Sequence, residues 1–159
     1  MNKVIGVFVM AAVLAAPLAH ADTGFYAGAN WGRTTTSGYG NSWDFGFLGG
    51  YRFNRYLDAE GGYESMMGYE IMLWSASVLG RYPLTPHVHL LARLGMAYWT
   101  ESPTGAYGAT GTDPLFGIGM SYRVTHHISL RGEYQMLSNS SGGLGANLDT
   151  LMVGAIYRF

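Results

Sequence analysis

The last nine residues, Leu151-Met-Val-Gly-Ala-Ile-Tyr-Arg-Phe159, constrain the fold more than any other stretch. Counting back from Phe159, every second residue is apolar: Phe159, Tyr157, Ala155, Val153 and Leu151. The intervening set, Arg158, Ile156, Gly154, Met152 and Thr150, is mixed. A period of two means an extended strand with two unlike faces. An aromatic residue at the end of such a strand suits a last strand that closes a β-barrel in a membrane.

The same test finds seven more strands. Phe25, Ala27, Ala29 and Trp31 share one face of the first, and Trp43, Phe45, Phe47, Gly49, Tyr51 and Phe53 one face of the second. Leu57, Ala59, Gly61 and Tyr63 mark the third; Met72, Trp74, Ala76, Val78, Gly80 and Tyr82 the fourth. The fifth carries Val88, Leu90, Ala92, Leu94, Met96 and Tyr98; the sixth Phe116, Ile118, Met120 and Tyr122; the seventh Ile128, Leu130, Gly132, Tyr134 and Met136. Charges fall on the complementary face: Asp44, Arg52, Asp58, Glu60, Glu64, Arg81, Arg93, Arg123, Arg131, Glu133 and Arg158. An Arg on a lipid face at mid-depth costs about 2–4 kcal/mol, which explains the segregation. The other charges are expected at strand ends, in loops or at the mature N-terminus. The fold class predicted is all-β, an eight-stranded antiparallel up-and-down transmembrane β-barrel. Only closure satisfies every backbone group in lipid, and eight strands leave an interior that side chains can fill.

The first 21 residues read as a secretory signal: Lys3, then apolar Val4 to Ala16, then Ala19-His20-Ala21 as the cleavage site. The apolar run, about 13 residues, is shorter than the roughly 20 a helix needs to cross hydrocarbon. The mature barrel domain is expected to span 22–159. Charged residues make up 12% and aromatics 14% of the chain, which suits strands in lipid, whose individual hydrophobic signal is weak. Cysteine is absent, so no disulfide staples the fold and thiol chemistry is excluded. The net charge is −1 with no basic run, which argues against a nucleic-acid partner.

Connections alternate in length. Asn54-Arg55, Tyr82 to His87 and Val124 to His127 are short; Thr34 to Ser42, Ser65 to Tyr69, Thr100 to Thr112 and Ser138 to Asn147 are mostly longer and rich in Gly, Ser and Thr. Short periplasmic turns and longer external loops follow that pattern. Pro83 and Pro86 sit in a turn, Pro103 in a loop and Pro114 at a strand start, none inside a ladder. Phe25, Phe53, Tyr82, Tyr122, Tyr157 and Phe159 gather at the short-turn ends, and Trp31, Trp43, Trp74 and Tyr98 at the others. These make two interfacial girdles.

The sequence resembles the eight-stranded transmembrane domain of outer membrane protein A and its small relatives, over about residues 23–159. The densest matches are Leu79-Gly-Arg-Tyr-Pro-Leu-Thr85, Leu91-Ala-Arg-Leu-Gly95, Ser129-Leu-Arg-Gly-Glu-Tyr-Gln135 and Tyr157-Arg-Phe159. The resemblance implies a monomeric barrel of the bacterial outer membrane with both termini periplasmic. It implies contact with outer-membrane lipids and lipopolysaccharide, and insertion by periplasmic chaperones and the barrel-assembly machinery. Tyr157 and Phe159 would form the membrane-insertion signal. The implied interior holds ion pairs rather than an open channel. In the family a third-strand Glu pairs with a seventh-strand Arg, while a fourth-strand Lys competes through a sixth-strand Glu. Glu60 and Arg131 match the first pair. The sixth-strand position is Ser121, and the nearest fourth-strand cation is Arg81, one position out of register. The peptidoglycan-binding domain of larger members is not expected in a chain that stops at Phe159.

Glu60, Arg93, Arg131 and Glu133 are the polar interior singled out from the residues. They read as an ion-pair network filling the lumen, or as a gate or proton path. Small barrels can also be lipid A deacylases, which place a His, Ser and acid near the outer rim. Here Glu133-Tyr-Gln-Met-Leu-Ser138 has no His, and His87, His89, His126 and His127 all lie at the short-turn end. A general base must reach its proton, so an enzyme is not expected. His126-His127 chelate poorly because neighbours in extended chain point apart, so no metal or cofactor is predicted. Gly24, Gly28 and Gly32 mimic a helix-packing motif but share the inner face of a strand with Tyr26 and Asn30. Gly142-Gly143 and Gly145 lack the Lys-Ser/Thr of a phosphate loop, and the Asn139-Ser-Ser141 sequon is incidental in a bacterial chain. The function expected is an envelope-structural or surface-contact role, with a narrow low-conductance pore as the alternative.

Overall fold

In a computed structural model, the described residues are 23–36, 40–67, 71–101, 109–138 and 147–159. The signal segment lies outside them, as do Pro103, the Asn139 sequon and Gly142, Gly143 and Gly145. Eight strands follow in order: β1 Gly24–Thr36, β2 Gly40–Asn54, β3 Leu57–Met67, β4 Ile71–Pro83, β5 Val88–Glu101, β6 Thr110–Arg123, β7 Ile128–Leu137 and β8 Leu148–Arg158. Each pairs antiparallel with its neighbour, and β1 pairs with β8, closing the barrel. The shortest strand has 10 residues, enough to cross a bilayer at the usual tilt. Among the described residues no helix is long and apolar enough to span a membrane.

The strands outrun their apolar alternation at the long-loop end. Thr34 pairs with Ser42 and Thr35 with Asn41, so most of the loop expected at Thr34 to Ser42 is ladder. β6 starts at Thr110 rather than beside Phe116. Polar residues hide the period there, yet β-branched Thr fits a pleated ladder well. Two outward charges therefore fall inside strands: Arg33 in β1, opposite Leu151, and Asp149 in β8, opposite Thr35. That register makes Arg33 and Asp149 diagonal neighbours near the long-loop rim, away from the costly mid-depth. Asp113, expected in a loop or at a strand end, is the fourth residue of β6 and is wholly buried.

Pro114 is a further correction: it is the fifth residue of β6, not its start. It pairs with Met96 of β5, and its carbonyl accepts from Ser138 N at 3.1 Å. Its nitrogen therefore points to the β7 edge, one step past the last β6–β7 pair, Leu115 with Leu137. The missing donor falls where that ladder has already ended.

Two short turns share one design. In Leu84-Thr85-Pro86-His87, Thr85 Oγ1 accepts from His87 N at 3.3 Å and Val88 N at 3.0 Å. In Val124-Thr125-His126-His127, Thr125 Oγ1 accepts from His127 N at 3.2 Å and Ile128 N at 3.0 Å. A threonine that satisfies donors two and three residues on stabilises a tight reversal.

Candidate functional site

Alternation sends a second set of side chains into the lumen, and they form distinct layers along it. Toward the long loops the layer is apolar: Met66, Ile71, Leu73, Ala97, Trp99, Leu115, Leu137 and Leu148, with Ala109 against them. Trp99 is fully buried, and its Nε1 donates to Asp113 Oδ2 at 2.8 Å. Beside this plug, Thr34 Oγ1 donates to Asp44 Oδ2 and lies 2.5 Å from Thr150 Oγ1. A cavity of about 10 Å³, lined by Glu64, Gln135, Thr150 and apolar neighbours, lies between the plug and the centre. That is room for about one water.

The centre is an ionic quartet. Arg93 from β5 bridges Glu60 and Glu133, using Nη2 and Nε. Its Nη1 donates to Ser77 Oγ at 2.7 Å. Arg131 from β7 reaches both oxygens of Glu60 through Nη1, at 2.8 and 3.1 Å, and stands 3.8 Å from Glu133. Tyr26 donates to Glu60 Oε2 at 2.8 Å, and Gln135 to Glu133 Oε1 at 3.2 Å. All are buried. Charges taken from water must be paired and hydrogen-bonded, and Glu60 meets that demand most fully. Arg131 does not: its Nε and Nη2 have no partner among the described residues.

Small residues make the room. A Cβ on Gly50 would sit 2.5 Å from the Tyr26 ring, and one on Gly117 would sit 2.8 Å from Glu133 Oε1. Below the quartet, fully buried Asp58 accepts from Arg81 Nε at 2.7 Å and Arg52 Nε at 3.3 Å. Arg81 therefore serves Asp58 and not the quartet. The fourth-strand residue that contacts the quartet is Ser77, through Arg93, while Ser121 stands opposite Arg131 in the β6–β7 register.

The outer surface is the reverse of a soluble protein's. Phe47, Leu94, Ile118, Leu130, Leu151 and Val153 are all exposed, at 51–65% of their full surface. A continuous apolar belt of this kind greatly exceeds the patches that soluble monomers carry. A sequence model of the outer membrane protein β-barrel domain matches residues 5–159. The chain belongs to this family of outer-membrane β-barrels. It is 31% identical to outer membrane protein A of Klebsiella pneumoniae, over 87% of this chain and 47% of that protein. It is 32% identical to outer membrane protein A of Klebsiella aerogenes, over 72% of this chain and 38% of that one. The chain thus spans about half the length, or less, of these curated relatives. Among solved structures it is similar to the N-terminal β-barrel domain of Pseudomonas aeruginosa OprF (TM-score 0.69, 13% identity, 86% of this chain and 99% of that one). It is also similar to Neisserial surface protein A (0.61, 22%, 85% and 97%). A third likeness is Ail, the attachment invasion locus protein of Yersinia pestis (0.62, 18%, 87% and 98%). These likenesses concern the fold.

The outer-membrane barrel carries both girdles. Trp31, Trp43, Trp74 and Tyr98 face outward at the long-loop end, and Phe53, Tyr82, Tyr122, Tyr157 and Phe159 at the other. Phe159 is 76% exposed and packs edge-on against Tyr157, centroids 5.3 Å apart. Tyr51 also points outward, yet Phe25 and Phe53 cover it from 4.8 and 5.2 Å. His87, His126 and His127 stand in short turns and His89 at the start of β5. Ser138 lies at the opposite end, after β7. Among the described residues no group of three or more His, Cys, Asp or Glu is placed to hold a metal. Sequence reasoning did not find the Trp99–Asp113 contact, the Asp58 triad, or the parts of Tyr26 and Ser77. The inward parity of these residues was the available signal, but parity does not say which strands bring partners to one height.

Proposed function

We propose that this protein is a non-enzymatic, non-conducting barrel of the bacterial outer membrane, with an envelope-structural or surface-contact role. The observation that carries this reading is the doubly closed lumen: the apolar plug around Trp99, then the quartet of Glu60, Arg93, Arg131 and Glu133. An ion would have to pass a dry layer and then break paired charges. Among the described residues every histidine stands at the end opposite Ser138, so no His–Ser pair forms at the outer rim, which supports the non-enzymatic reading. Residues 1–21 act as the removed signal, and the barrel works as a monomer with its short turns and both termini in the periplasm. Its surroundings are outer-membrane lipid and lipopolysaccharide, and chaperones and the assembly machinery deliver it there, with Tyr157 and Phe159 as the signal read on insertion.

Planar-bilayer recording of the refolded mature chain tests this. The expected result is no resolved unitary conductance, in the wild type and in Arg131→Ala alike. Discrete openings in the wild type, or openings created by Arg131→Ala, would replace this reading with the narrow pore.

A further inference from the structure

The chain has no basic run, yet the barrel gathers its cations at one rim. Each even-numbered strand carries an inward arginine within its last three residues, at the short-turn mouth: Arg52 in β2, Arg81 in β4, Arg123 in β6 and Arg158 in β8. Three are held alike. Arg81 N donates to Tyr56 O, Arg123 N to His87 O and Arg158 N to His127 O, each at 2.8 Å. Arg55 adds an exposed cation in the β2–β3 turn, its guanidinium 4.9 Å from the Tyr56 ring centre. Among described acidic side chains only Asp58 sits at this end, and it is enclosed by Arg52 and Arg81. Even with the Phe159 carboxylate counted, the rim is cationic. The opposite half is the reverse: Arg33 stands there with Asp44, Glu64, Glu101, Asp113 and Asp149.

Two corners of the rim repeat one arrangement. His127 stacks on Tyr157 with centroids 5.8 Å apart and planes 17° apart, and Arg158 follows in the chain. His87 lies 6.4 Å from Tyr122 at 32°, and Arg123 follows. Tyr122 and Tyr157 are girdle residues about half exposed on the lipid-facing side, so the imidazoles stand at headgroup depth. The half-buried guanidiniums of Arg123 and Arg158 are at the adjoining lumen rim; Arg158 Nη2 also donates to His126 O at 2.7 Å.

We infer that this short-turn rim is a docking surface for the phosphodiester headgroups of anionic phospholipids in the leaflet it touches, with the His87–Tyr122–Arg123 and His127–Tyr157–Arg158 corners as its contact points. Guanidinium N–H groups and the His87 imidazole match phosphate oxygens, while His127 Nδ1 donates to Arg158 O at 2.9 Å and so holds its ring at that corner. A zwitterionic headgroup brings its own ammonium into the cationic rim, whereas an anionic one does not. The aromatic ring in each corner continues into the apolar belt, so the surface fits a headgroup attached to acyl chains better than a free anion. It adds lipid selectivity to membrane residence and does not depend on whether the lumen conducts.

The test uses the full barrel in nanodiscs of mixed phosphatidylcholine and phosphatidylglycerol, with the lipids retained after mild delipidation counted by native mass spectrometry. Phosphatidylglycerol should be enriched over the bulk mixture. Arg123→Gln should lower that enrichment roughly fivefold, while Arg33→Gln at the other end leaves it unchanged. Heat-shifted gel mobility reports folding, and if Arg123→Gln misfolds, the exposed-turn double variant His87→Gln/His127→Gln replaces it with the same expected direction. Retained lipid matching the bulk, or equal loss in Arg33→Gln, would overturn the inference. Full displacement of phosphatidylglycerol by excess inorganic phosphate would also overturn it, by showing a soluble-anion site instead.

Discussion

Replacing Arg93 with Met should destabilise the barrel more than replacing Arg131 with Met, although both arginines are buried in one network. Arg93 uses all three guanidinium nitrogens: Nε on Glu133, Nη2 on Glu60 and Nη1 on Ser77. Without it, Glu133 keeps only Gln135 at 3.2 Å and Arg131 at 3.8 Å. Stripping one partner from a buried pair costs about 3–5 kcal/mol, and Arg93→Met should fall in that range. Among the described residues Arg131 donates through Nη1 alone, and its Nε and Nη2 lack partners. Each unsatisfied buried group carries a penalty of about 1–3 kcal/mol, which Arg131→Met removes together with the charge. Glu60 would still hold Arg93 and Tyr26. The net cost of Arg131→Met should therefore be about 1–2 kcal/mol. Adding Glu133→Gln to Arg93→Met should recover part of the loss, because the stranded carboxylate goes with it. Reversible urea unfolding in lipid vesicles, followed by heat-shifted mobility, reads all three variants. Equal costs for the two arginines, or a double variant as costly as Arg93→Met alone, would refute this account of the quartet.

Gly50→Ala should push the Tyr26 ring off Glu60, since the new Cβ would lie 2.5 Å from Tyr26 Cζ and Oη and 2.7 Å from Ala59 O; a loss of about 1–3 kcal/mol in the same unfolding assay is expected. In single-tryptophan variants, lipids with brominated chains should quench Trp31, Trp43 and Trp74, which are 57–61% exposed, and leave Trp99 bright. Quenching of Trp99 would place it on the lipid side and remove the plug. Phe159→Ala should lower the yield of inserted barrel in cells far more than it lowers the unfolding midpoint of purified barrel, because Phe159 is largely exposed and its ring meets the edge of Tyr157. An equal effect on both measurements would make it a packing residue rather than an insertion signal.

Period-two alternation carried most of this fold. Where lipid demands apolar residues, as along Leu90, Ala92, Leu94 and Met96, strand and face were legible without a structure. Where strands rise beyond the girdles, as at Thr34 to Thr36 and Thr110 to Thr112, water tolerates any side chain and the period fades. The strands therefore read short, and Pro114, Arg33 and Asp113 were misplaced relative to strand ends. The short turns were legible from their length, whereas the Thr85 and Thr125 hydroxyls that brace two of them came from the structure.

The sequence by itself determined which side chains face inward, because parity along a strand is a local property. It put Glu60, Arg93, Arg131 and Glu133 in the lumen, and the family resemblance added the pairing of Glu60 with Arg131. That Arg93 joins both carboxylates was decided only by the tertiary structure. Register between strands and the closing β1–β8 seam set heights across the barrel, and no local pattern encodes them. They gave Arg93 two carboxylates, sent Arg81 to Asp58, brought Trp99 to Asp113, and gathered scattered arginines at one rim. A charge on a strand knows its face from its immediate neighbours, but it meets its counter-ion only when distant strands come into register.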